Sequence, residues 1–469
     1  MTMFMEIEGI ALAAKQRSQN NPKYIIKTYG CQMNEHDSEV LAGILEKLGY
    51  SSTDEVEDAD IVLVNTCCVR DSAETRILGE LGRLKQYKDQ NPGMVIGVCG
   101  CMPMQQGSKE RIRRRASHLD FVFGTGNLHR LPHLLQQARK TNKTIWETEA
   151  EEDILPSSLP RSRVEGTSAW VPIIYGCDNY CTYCTVPHVR GRERSRPPRE
   201  IRREIEQLAS EGVRQVTLLG QNVNSYGKDL DEHPDTDFAS LLTTINEVQG
   251  LRWINYTTSH PRDFASALVD TIKKLEKVAE HFHIPVQSGS DRLLKRMNRG
   301  YTKKEYLQLV NYIKEQIPDA SLTTDVIVGF PGETEEDFQQ TMDLFERVRF
   351  DGAFSFMYSP RPGTVAADYE NHVSEEVKKE RLHRLNQLQN DISLEINQEL
   401  VGEKLTGLVE GPSKKNLEIM QARTKTNKLI LFEGTEDLTG HFVPLEIVEA
   451  QSFQLRGRLL DDQSRKGSH

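Results

Sequence analysis

The pattern of apolar and polar positions predicts that the chain consists of three parts with different architectures. In residues 23–146, short continuous apolar runs alternate with segments of helical period, which is typical of parallel strands buried on both faces. Strands are predicted at residues 24–28, 61–65, 94–98 and 121–123, and helices at 36–48, 72–87 and 128–139. This part is therefore predicted to be an N-terminal doubly wound parallel α/β domain.

Residues 163–396 repeat strands and helices at a regular spacing, and each strand ends in a polar loop. Strands are predicted at residues 171–175, 215–219, 254–256, 282–286, 322–328 and 354–358, with helices between them, for example at 200–211, 264–275 and 303–315. Six β/α units indicate a central partial (β/α)6 TIM-like barrel, in which chemistry takes place at the loops that follow the strands. A long polar helix is predicted at residues 374–400.

Residues 397–460 change character, because short strands alternate with polar turns that contain glycine. Strands at residues 405–409, 417–422, 428–432 and 443–450 predict a C-terminal small antiparallel β-barrel, which is OB-like. Small barrels of this kind often bind RNA. We expect Lys414, Lys415 and Lys425 to contribute to a basic RNA-binding face, although a solvated surface explains these charges equally well. Residues 1–22, 147–162 and 461–469 are interpreted as an extension, a linker and a tail.

Charge and hydropathy narrow the class of protein. The 469 residues carry 59 basic and 69 acidic side chains, a formal net charge of −10, which argues against a general basic coat for nucleic acid. No apolar run of about 18 residues predicts a membrane span, and the N-terminus lacks the pattern of a signal peptide. Eight cysteines in such a chain indicate metal or redox chemistry in a reducing, cytoplasmic compartment instead of disulfides.

Three cysteines, Cys177, Cys181 and Cys184, follow the first strand of the central part at the spacing CxxxCxxC. Three thiolates can hold three irons of a [4Fe-4S] cluster, since each iron takes one soft sulfur ligand from the protein. No fourth cysteine follows nearby, so the fourth iron is expected to be open for another ligand. A zinc site or three buried thiols are the alternatives. A zinc site needs a second pair of ligands, and the nearby sequence offers His188 alone.

Three further cysteines, Cys31, Cys67 and Cys101, each follow a successive predicted strand of the N-terminal part. The carboxyl ends of parallel strands meet at one edge of the sheet, where ligands bind. The three thiols are therefore predicted to converge and to form a second metal site. Taken singly, each cysteine is better explained as a small buried residue. Cys68 and Cys99 are interpreted as residues that pack beside the site.

The CxxxCxxC spacing, with Tyr183 before its last cysteine, resembles the signature of the radical S-adenosylmethionine (SAM) enzymes. The resemblance implies that the open iron chelates SAM, and that electron transfer to the sulfonium releases a 5′-deoxyadenosyl radical. The order of the two cysteine groups and the small barrel is similar to the methylthiotransferases, which combine an auxiliary-cluster domain, a radical SAM core and an RNA-binding TRAM domain. This likeness covers the chain from about Lys23 to Leu460 and selects Cys67 and Cys101 as ligands.

Within this family, residues 175–184 and 220–226 look like the MiaB branch. That likeness implies methylthiolation of C2 of N6-isopentenyl(dimethylallyl)adenosine beside the anticodon of tRNA, with two SAM per turnover and sulfur delivered through the auxiliary cluster. Such a C–H bond is unactivated, so side-chain acids and bases do not suffice and a cofactor must supply the radical. The alternatives are a ribosomal-protein aspartate or threonylcarbamoyl-adenosine as substrate, or an iron–sulfur RNA-binding or electron-transfer protein without radical chemistry.

The same resemblance implies the residues that contact SAM. Tyr183 is expected at the adenine, and the loops after the second, fourth and fifth strands of the barrel are expected to contribute Gln221, Asn222, Gln287, Ser288, Asp325 and Val328. The general polarity of barrel loops explains these residues equally well.

A run of arginines lies between residues 188 and 203. Because the guanidinium group suits phosphate, we expect this run to border the RNA path, with Arg190, Arg192, Arg194 and Arg196 as contacts. A helix surface that forms salt bridges with its neighbours is the alternative. The partners expected from the resemblance are the tRNA anticodon stem-loop, an electron donor such as flavodoxin or ferredoxin, and the iron–sulfur assembly machinery. We expect no membrane contact and a monomer.

Overall fold

The computed structural model describes residues 21–68, 71–149, 159–163, 166–231, 235–413 and 416–460, with the backbone alone for residues 71–75. It divides into two compact units. The first unit takes the chain up to residue 165 together with Tyr175–Glu193 and Ser359–Ala367. The second takes Gly166–Ile174, Arg194–Tyr358 and the chain from residue 368 onward. Most of the predicted extension and linker, and the predicted tail, lie outside the described residues.

The first unit contains a parallel sheet whose strands are β1 Lys23–Thr28, β2 Ser51–Ser52, β3 Ile61–Thr66, β4 Val95–Gly100, β5 Phe121–Phe123 and β6 Ile145–Glu147. The strand order is β2-β1-β3-β4-β5-β6, and all neighbours are parallel. The helices of this unit are α1 Gln32–Lys47, α2 Asp71–Gln90, α3 Ser108–Arg115, α4 Leu131–Ala138 and α5 Val186–Arg190. The direction of winding reverses between β1 and β3, which is where ligands bind in such sheets.

Two apolar cores lie on opposite faces of this sheet. Ile61 and Leu63 of β3 pack with residues of α1 and α4, whereas Val62 and Val64 pack with residues of α2 and α3. Every residue of β3 and β4 is buried, because side chains that alternate in direction meet a helix layer on each face. The prediction of a doubly wound domain is therefore confirmed.

The second unit contains six parallel strands, β7 Ser168–Pro172, β10 Gln215–Leu219, β11 Trp253–Tyr256, β12 His281–His283, β13 Ser321–Val328 and β14 Gly352–Met357. They form two three-stranded sheets in the orders β11-β10-β7 and β12-β13-β14. The short strands β8 Ile174–Tyr175 and β9 Arg194–Ser195 lie where the chain passes between the units. The predicted six β/α units are confirmed.

The helices of the second unit are α6 Pro198–Ser210, α7 Phe238–Asn246, α8 Ser266–Lys274, α9 Asp291–Arg296, α10 Lys303–Gln316, α11 Glu335–Val348 and α12 Glu375–Gln398. The strand predicted at residues 282–286 is shorter than expected and ends at His283. The prolyl nitrogen of Pro285 cannot donate a hydrogen bond, so the ladder does not continue through it. Among the described residues, no helix is long and apolar enough to cross a membrane.

The C-terminal strands are β15 Lys404–Ser413, β16 Asn416–Thr424, β17 Leu429–Glu433, β18 Phe442–Ala450 and β19 Leu455–Leu459. They close into a barrel in the order β15-β16-β17-β19-β18. The fifth strand, β19, was not predicted, and it pairs parallel with β17, so the barrel is not antiparallel throughout. Within this unit the barrel contacts the β/α strands through the rings of Trp253 and Phe442, whose centroids are 4.7 Å apart.

Candidate active site

Three cysteine-bearing loops meet at the carboxyl edge of the first unit's sheet. Cys31 caps the N-terminus of α1, while Cys67 and Cys101 directly follow β3 and β4. The backbone amide of Tyr29 donates to the carbonyl of Asn65 at 2.8 Å, and that of Cys101 donates to the carbonyl of Thr66 at 2.7 Å. The loops after the central strands β1, β3 and β4 are therefore tied to one another, at the place where the winding reverses.

Two glycines permit this close approach. A Cβ atom on Gly30 would lie 2.9 Å from the Cβ of Cys67, and one on Gly100 would lie 2.3 Å from the carbonyl oxygen of Thr66. Gly100 has a φ of +96°, which L-residues rarely adopt. A side chain at either position would force the cysteine-bearing loops apart.

A buried amide network supports Cys31. The thiol of Cys31 donates to Oδ1 of Asn34 at 3.4 Å, and Nδ2 of Asn34 donates to Oδ1 of Asn65 at 2.9 Å. Asn65 in turn donates to the backbone carbonyl of Asn34 at 2.8 Å. Both asparagines are fully buried, so the network fixes the start of α1 against the end of β3.

Arg190 completes the network from the C-terminus of α5, a position that sequence reasoning assigned to RNA. Its Nη2 lies 3.0 Å from Oδ2 of Asp37 and 3.3 Å from Oδ1 of Asn34, and the preceding residue, Val189, packs with Cys101. The residue is 9% exposed. The prediction of an RNA contact is therefore wrong for Arg190, because its charge is used inside the protein.

The two remaining cysteines of this unit differ in position. Cys99 packs in the apolar core on the α1 side of the sheet, where burial raises the pKa of its thiol. Cys68 lies at the site itself, since it packs with Cys101 and its Sγ is 3.4 Å from Oγ1 of Thr185. The hydrogen bond from Cys68, and then the charge of Arg190, lower the pKa of Cys101. The surroundings of Cys101 therefore favour its thiolate form.

The CxxxCxxC loop belongs to the same unit and is closed by backbone hydrogen bonds. The amide of Cys177 donates to the carbonyl of Gly191 at 3.2 Å, and the amide of Cys184 donates to the carbonyl of Cys181 at 2.9 Å. Gly176, with a φ of +74°, has no room for a side chain, because a Cβ atom would lie 2.0 Å from the carbonyl oxygen of Arg192.

The thiols of this loop are held in a polar but largely buried setting. Cys177 and Cys181 are buried and Cys184 is half-buried. Burial raises the pKa of Cys177 to about 11, while Nδ2 of Asn179, which donates to its sulfur at 3.4 Å, acts in the opposite direction. Tyr183 is half-buried between the last two cysteines.

The donor sets fit iron–sulfur clusters. Both groups offer thiol sulfur close to a polar group that can stabilise a thiolate, which is Asn179 in one case and Arg190 in the other. Within the described ranges, no group of three or more His, Cys, Asp or Glu side chains is placed to hold a single metal ion. A [4Fe-4S] cluster differs, because each thiolate binds a different iron.

Apart from Tyr183, which belongs to the first unit, the predicted SAM residues lie in the second unit and are described within it. Asn222 is 1% exposed and its side chain is held by the backbone amide of His260 at 3.1 Å and by Asp263 at 2.8 Å. Gln287 has a φ of +68° and is buried beside Ser288. Gln221 is half-buried at the loop after β10.

The last two predicted SAM residues, Asp325 and Val328, lie on β13 and differ in their surroundings. Oδ1 of Asp325 lies 3.4 Å from Nε2 of His283 on the neighbouring strand, and the ring of His283 contacts that of Phe354 at 6.0 Å between centroids. Val328 lies in the apolar core with 1% exposure, so the predicted contact with the nucleoside is not supported for its side chain. His283 and Phe354 were missed, because one histidine and one aromatic residue in a strand carry no distinctive sequence signal.

The predicted RNA contacts are separated by the structure. Arg196 is 2% exposed, donates to the carbonyl of Pro172 at 2.6 Å and pairs with Glu204, so its prediction is also wrong. The side chain of Arg192 is 79% exposed and lies 3.3 Å from Asp178, while Arg194 is half-buried. Lys425 lies 3.5 Å from Glu280, and Lys414 and Lys415 lie outside the described residues.

Comparison with known proteins agrees with this architecture. Residues 171–345 match the radical SAM superfamily, residues 23–124 match an uncharacterised protein family, UPF0004, and residues 398–460 match the TRAM domain. Among solved structures, the radical SAM methyltransferase TsrM from Kitasatospora setae superposes with a TM-score of 0.55 at 15% identity, over 82% of this chain and 78% of that one. The fold and the cysteine loop thus define a radical SAM protein, and this superfamily implies a [4Fe-4S] cluster and SAM.

The sequence relatives narrow the class further. The tRNA-2-methylthio-N(6)-dimethylallyladenosine synthase of Pelotomaculum thermopropionicum is 52% identical over 449 residues, which are 95% of this chain and 99% of that protein. The synthase of the same name from Moorella thermoacetica is 50% identical over 436 residues, 93% of this chain and 98% of that protein. The chain belongs to the family of these synthases.

Proposed function

We propose that the protein methylthiolates C2 of N6-dimethylallyladenosine beside the anticodon of tRNA. The observation that carries the proposal is the meeting of the loops of Cys31, Cys67 and Cys101 at one sheet edge, in the same compact unit as the loop of Cys177, Cys181 and Cys184. The name of the relatives supports the choice of substrate. The proposal includes two [4Fe-4S] clusters, and the auxiliary one is inferred from the meeting of the loops of Cys31, Cys67 and Cys101.

Each group of residues has a distinct role. Cys177, Cys181 and Cys184 hold the cluster that binds SAM, and Cys31, Cys67 and Cys101 hold the auxiliary cluster. When bound, the clusters and SAM supply the electron transfer, the radical and the site for sulfur that no side chain provides. The chain itself contributes positioning: Asn34 and Asn65 fix the loop of Cys31, and the backbone bonds of Cys177 and Cys184 close the second loop.

The remaining partners follow from this chemistry. A low-potential electron donor such as flavodoxin or ferredoxin reduces the protein, and the iron–sulfur assembly machinery loads it. Arg192, Arg194 and the C-terminal barrel contribute to binding of the anticodon stem-loop. We propose that the enzyme acts as a monomer in the cytoplasm.

The test is mass spectrometry of tRNA nucleosides from cells that lack the gene and are complemented with variants. The wild type restores methylthio-dimethylallyladenosine, Cys101→Ala does not, and Cys99→Ala does, because Cys99 packs in the core two residues away from the ligand. Restoration by Cys101→Ala would contradict the auxiliary site. Unchanged levels of this nucleoside in the deletion strain would favour a protein aspartate or threonylcarbamoyl-adenosine as substrate.

A second measurement separates this function from an iron–sulfur RNA-binding or electron-transfer protein. Reduced, reconstituted protein is incubated with SAM and the products are separated by chromatography. The proposal predicts 5′-deoxyadenosine from the wild type and none from Cys177→Ala. The absence of this product from the active wild type would favour the other class.

A further inference from the structure

The buried cation of Arg190 lies at the site of Cys31, Cys67 and Cys101 but comes from a distant part of the sequence. Arg190 is separated from its partner Asp37 by 153 residues and enters the site from the last residue of α5. Its side chain is 6% exposed and that of Asp37 is 2% exposed. A charge pair so fully removed from water is costly unless each member is well hydrogen-bonded, so its position requires an explanation beyond stability.

The contacts of Arg190 connect it to two of the three thiols. Its Nη2 lies 3.3 Å from Oδ1 of Asn34, the same oxygen that accepts the thiol of Cys31 at 3.4 Å. Val189, the residue before Arg190, packs with Cys101, so the guanidinium charge also lies near the loop that follows β4. Arg190 is therefore a shared neighbour of Cys31 and Cys101, and its guanidinium group forms an ion pair with Asp37.

The helix that carries Arg190 is anchored at the same place. Thr185, the N-cap of α5, contacts Sγ of Cys68 at 3.4 Å. Val189 packs with Cys68 and Cys101, and its carbonyl oxygen accepts the hydroxyl of Thr125 at 2.8 Å. Because α5 begins two residues after Cys184, the segment after the CxxxCxxC loop is fixed on the auxiliary thiols and holds the guanidinium group in one place.

We propose that Arg190 is a positioning residue that sets the reduction potential of the auxiliary cluster through Cys101, with Asp37 as its opposing charge. The inference rests on the proposed function, since it requires an auxiliary cluster. Reduction adds negative charge to a cluster that already carries three thiolates. A buried cation beside the ligand thiolates stabilises the reduced form, and it therefore raises the potential.

The sign of the effect distinguishes this role from a structural one. Arg190→Gln removes the cation and lowers the potential. Asp37→Asn removes the opposing anion, leaves Arg190 uncompensated and raises the potential. If Arg190 and Asp37 only supported the fold, their two variants would not shift the potential in opposite directions. Arg190→Lys keeps the charge but loses the planar guanidinium fork, so its potential lies between those of the wild type and Arg190→Gln.

The experiment uses the full-length protein with Cys177, Cys181 and Cys184 replaced by Ala, so that any cluster is the auxiliary one. The variants are reconstituted with iron and sulfide, and the cluster is titrated with dithionite while its EPR signal is recorded. We expect Arg190→Gln to change the equilibrium constant of the one-electron reduction at least tenfold, a shift of about 59 mV toward negative potential. Arg114→Gln, an exposed change on α3, is the matched control and leaves the potential unchanged.

The outcomes separate the two proposals. If the background protein with Arg190 intact binds no cluster, the auxiliary site of the proposed function is refuted and the inference with it. If a cluster forms and the potentials of Arg190→Gln and Asp37→Asn equal that of the parent, the inference alone is overturned. If Arg190→Gln does not fold, as judged by circular dichroism, the Lys variant decides, and an unchanged potential with an unchanged EPR spectrum overturns the role.

Discussion

Replacing Gly100 by Ala tests whether the close approach of the cysteine-bearing loops builds the proposed auxiliary site. The new Cβ would lie 2.3 Å from the carbonyl oxygen of Thr66 and 2.5 Å from Oδ1 of Asn65. Both residues belong to β3; the first atom is backbone, and the second ends a side chain that is held by hydrogen bonds to Asn34 and Ser38. The loop of Cys101 must therefore move away from that of Cys67.

The expected loss in the free energy of unfolding is the sum of two costs, reduced by one offset. Holding a non-glycine residue at a φ of +96° costs roughly 1–2 kcal/mol. Forcing backbone apart in a packed interior costs about 1–3 kcal/mol more. The loss of glycine's freedom in the unfolded chain offsets about 0.4–1 kcal/mol. Together these terms predict a net destabilisation of about 3 kcal/mol.

Gly107 provides a matched control in the same unit. Its φ is +72°, but nothing lies within 4 Å of the place that a Cβ atom would take, so Gly107→Ala carries the backbone cost without the collision. The net cost is about 1 kcal/mol by the same reasoning. The comparison of the two variants thus isolates the collision with β3.

The assay is iron content after reconstitution, combined with thermal unfolding of the metal-free protein. The wild type and Gly107→Ala are expected to bind about eight irons per chain, and Gly100→Ala about four, because the CxxxCxxC loop is untouched. If Gly100→Ala binds as much iron as Gly107→Ala and unfolds at the same temperature, the close approach of the loops does not position the auxiliary thiols.

Two further predictions concern other parts of the molecule. Arg192→Ala is expected to weaken tRNA binding and to reduce the slope of log K against log salt by about 1. Arg202→Ala, which changes a half-buried arginine paired with Glu206 and Glu247, is expected to do neither. Equal effects of the two variants in filter-binding titrations would remove Arg192 from the RNA path. Burial, and then the charge of Arg299, lower the pKa of His260. This histidine binds a proton more readily in the unfolded chain. The free energy of unfolding of the metal-free protein is therefore expected to fall by up to about 1.4 kcal/mol per pH unit below about pH 6.5, and that of His260→Asn to fall less. The same pH dependence of urea unfolding for both proteins would contradict this.

Much of the fold was predictable because its signals are local. The continuous apolar runs of β3 and β4 reflect burial on both faces, and the thiols that follow them could be placed at one edge from topology alone. The strand β19 was missed because it has only five residues and Gly457 lies at its centre, and an interior glycine weakens the strand signal.

The arginines show where sequence reasoning fails. Arg190, Arg192 and Arg196 look alike in a charged run, yet two are buried and one is exposed. The difference depends on partners distant in sequence or in another element, Asp37 for Arg190 and Glu204 for Arg196. Charge patterning reports that a cation is present, but not whether an anion lies inside the fold to pair with it.

The inclusion of residues 175–193 in the first unit affects the order in which the chain is finished on the ribosome. Asp37 is synthesised 153 residues before Arg190. At about 5–20 residues per second, that interval lasts roughly 8–30 s. Throughout this time the N-terminal sheet can form, but the edge that carries Cys31, Cys67 and Cys101 lacks the helix of Arg190. The proposed auxiliary cluster would therefore meet its complete surroundings only after that helix has emerged.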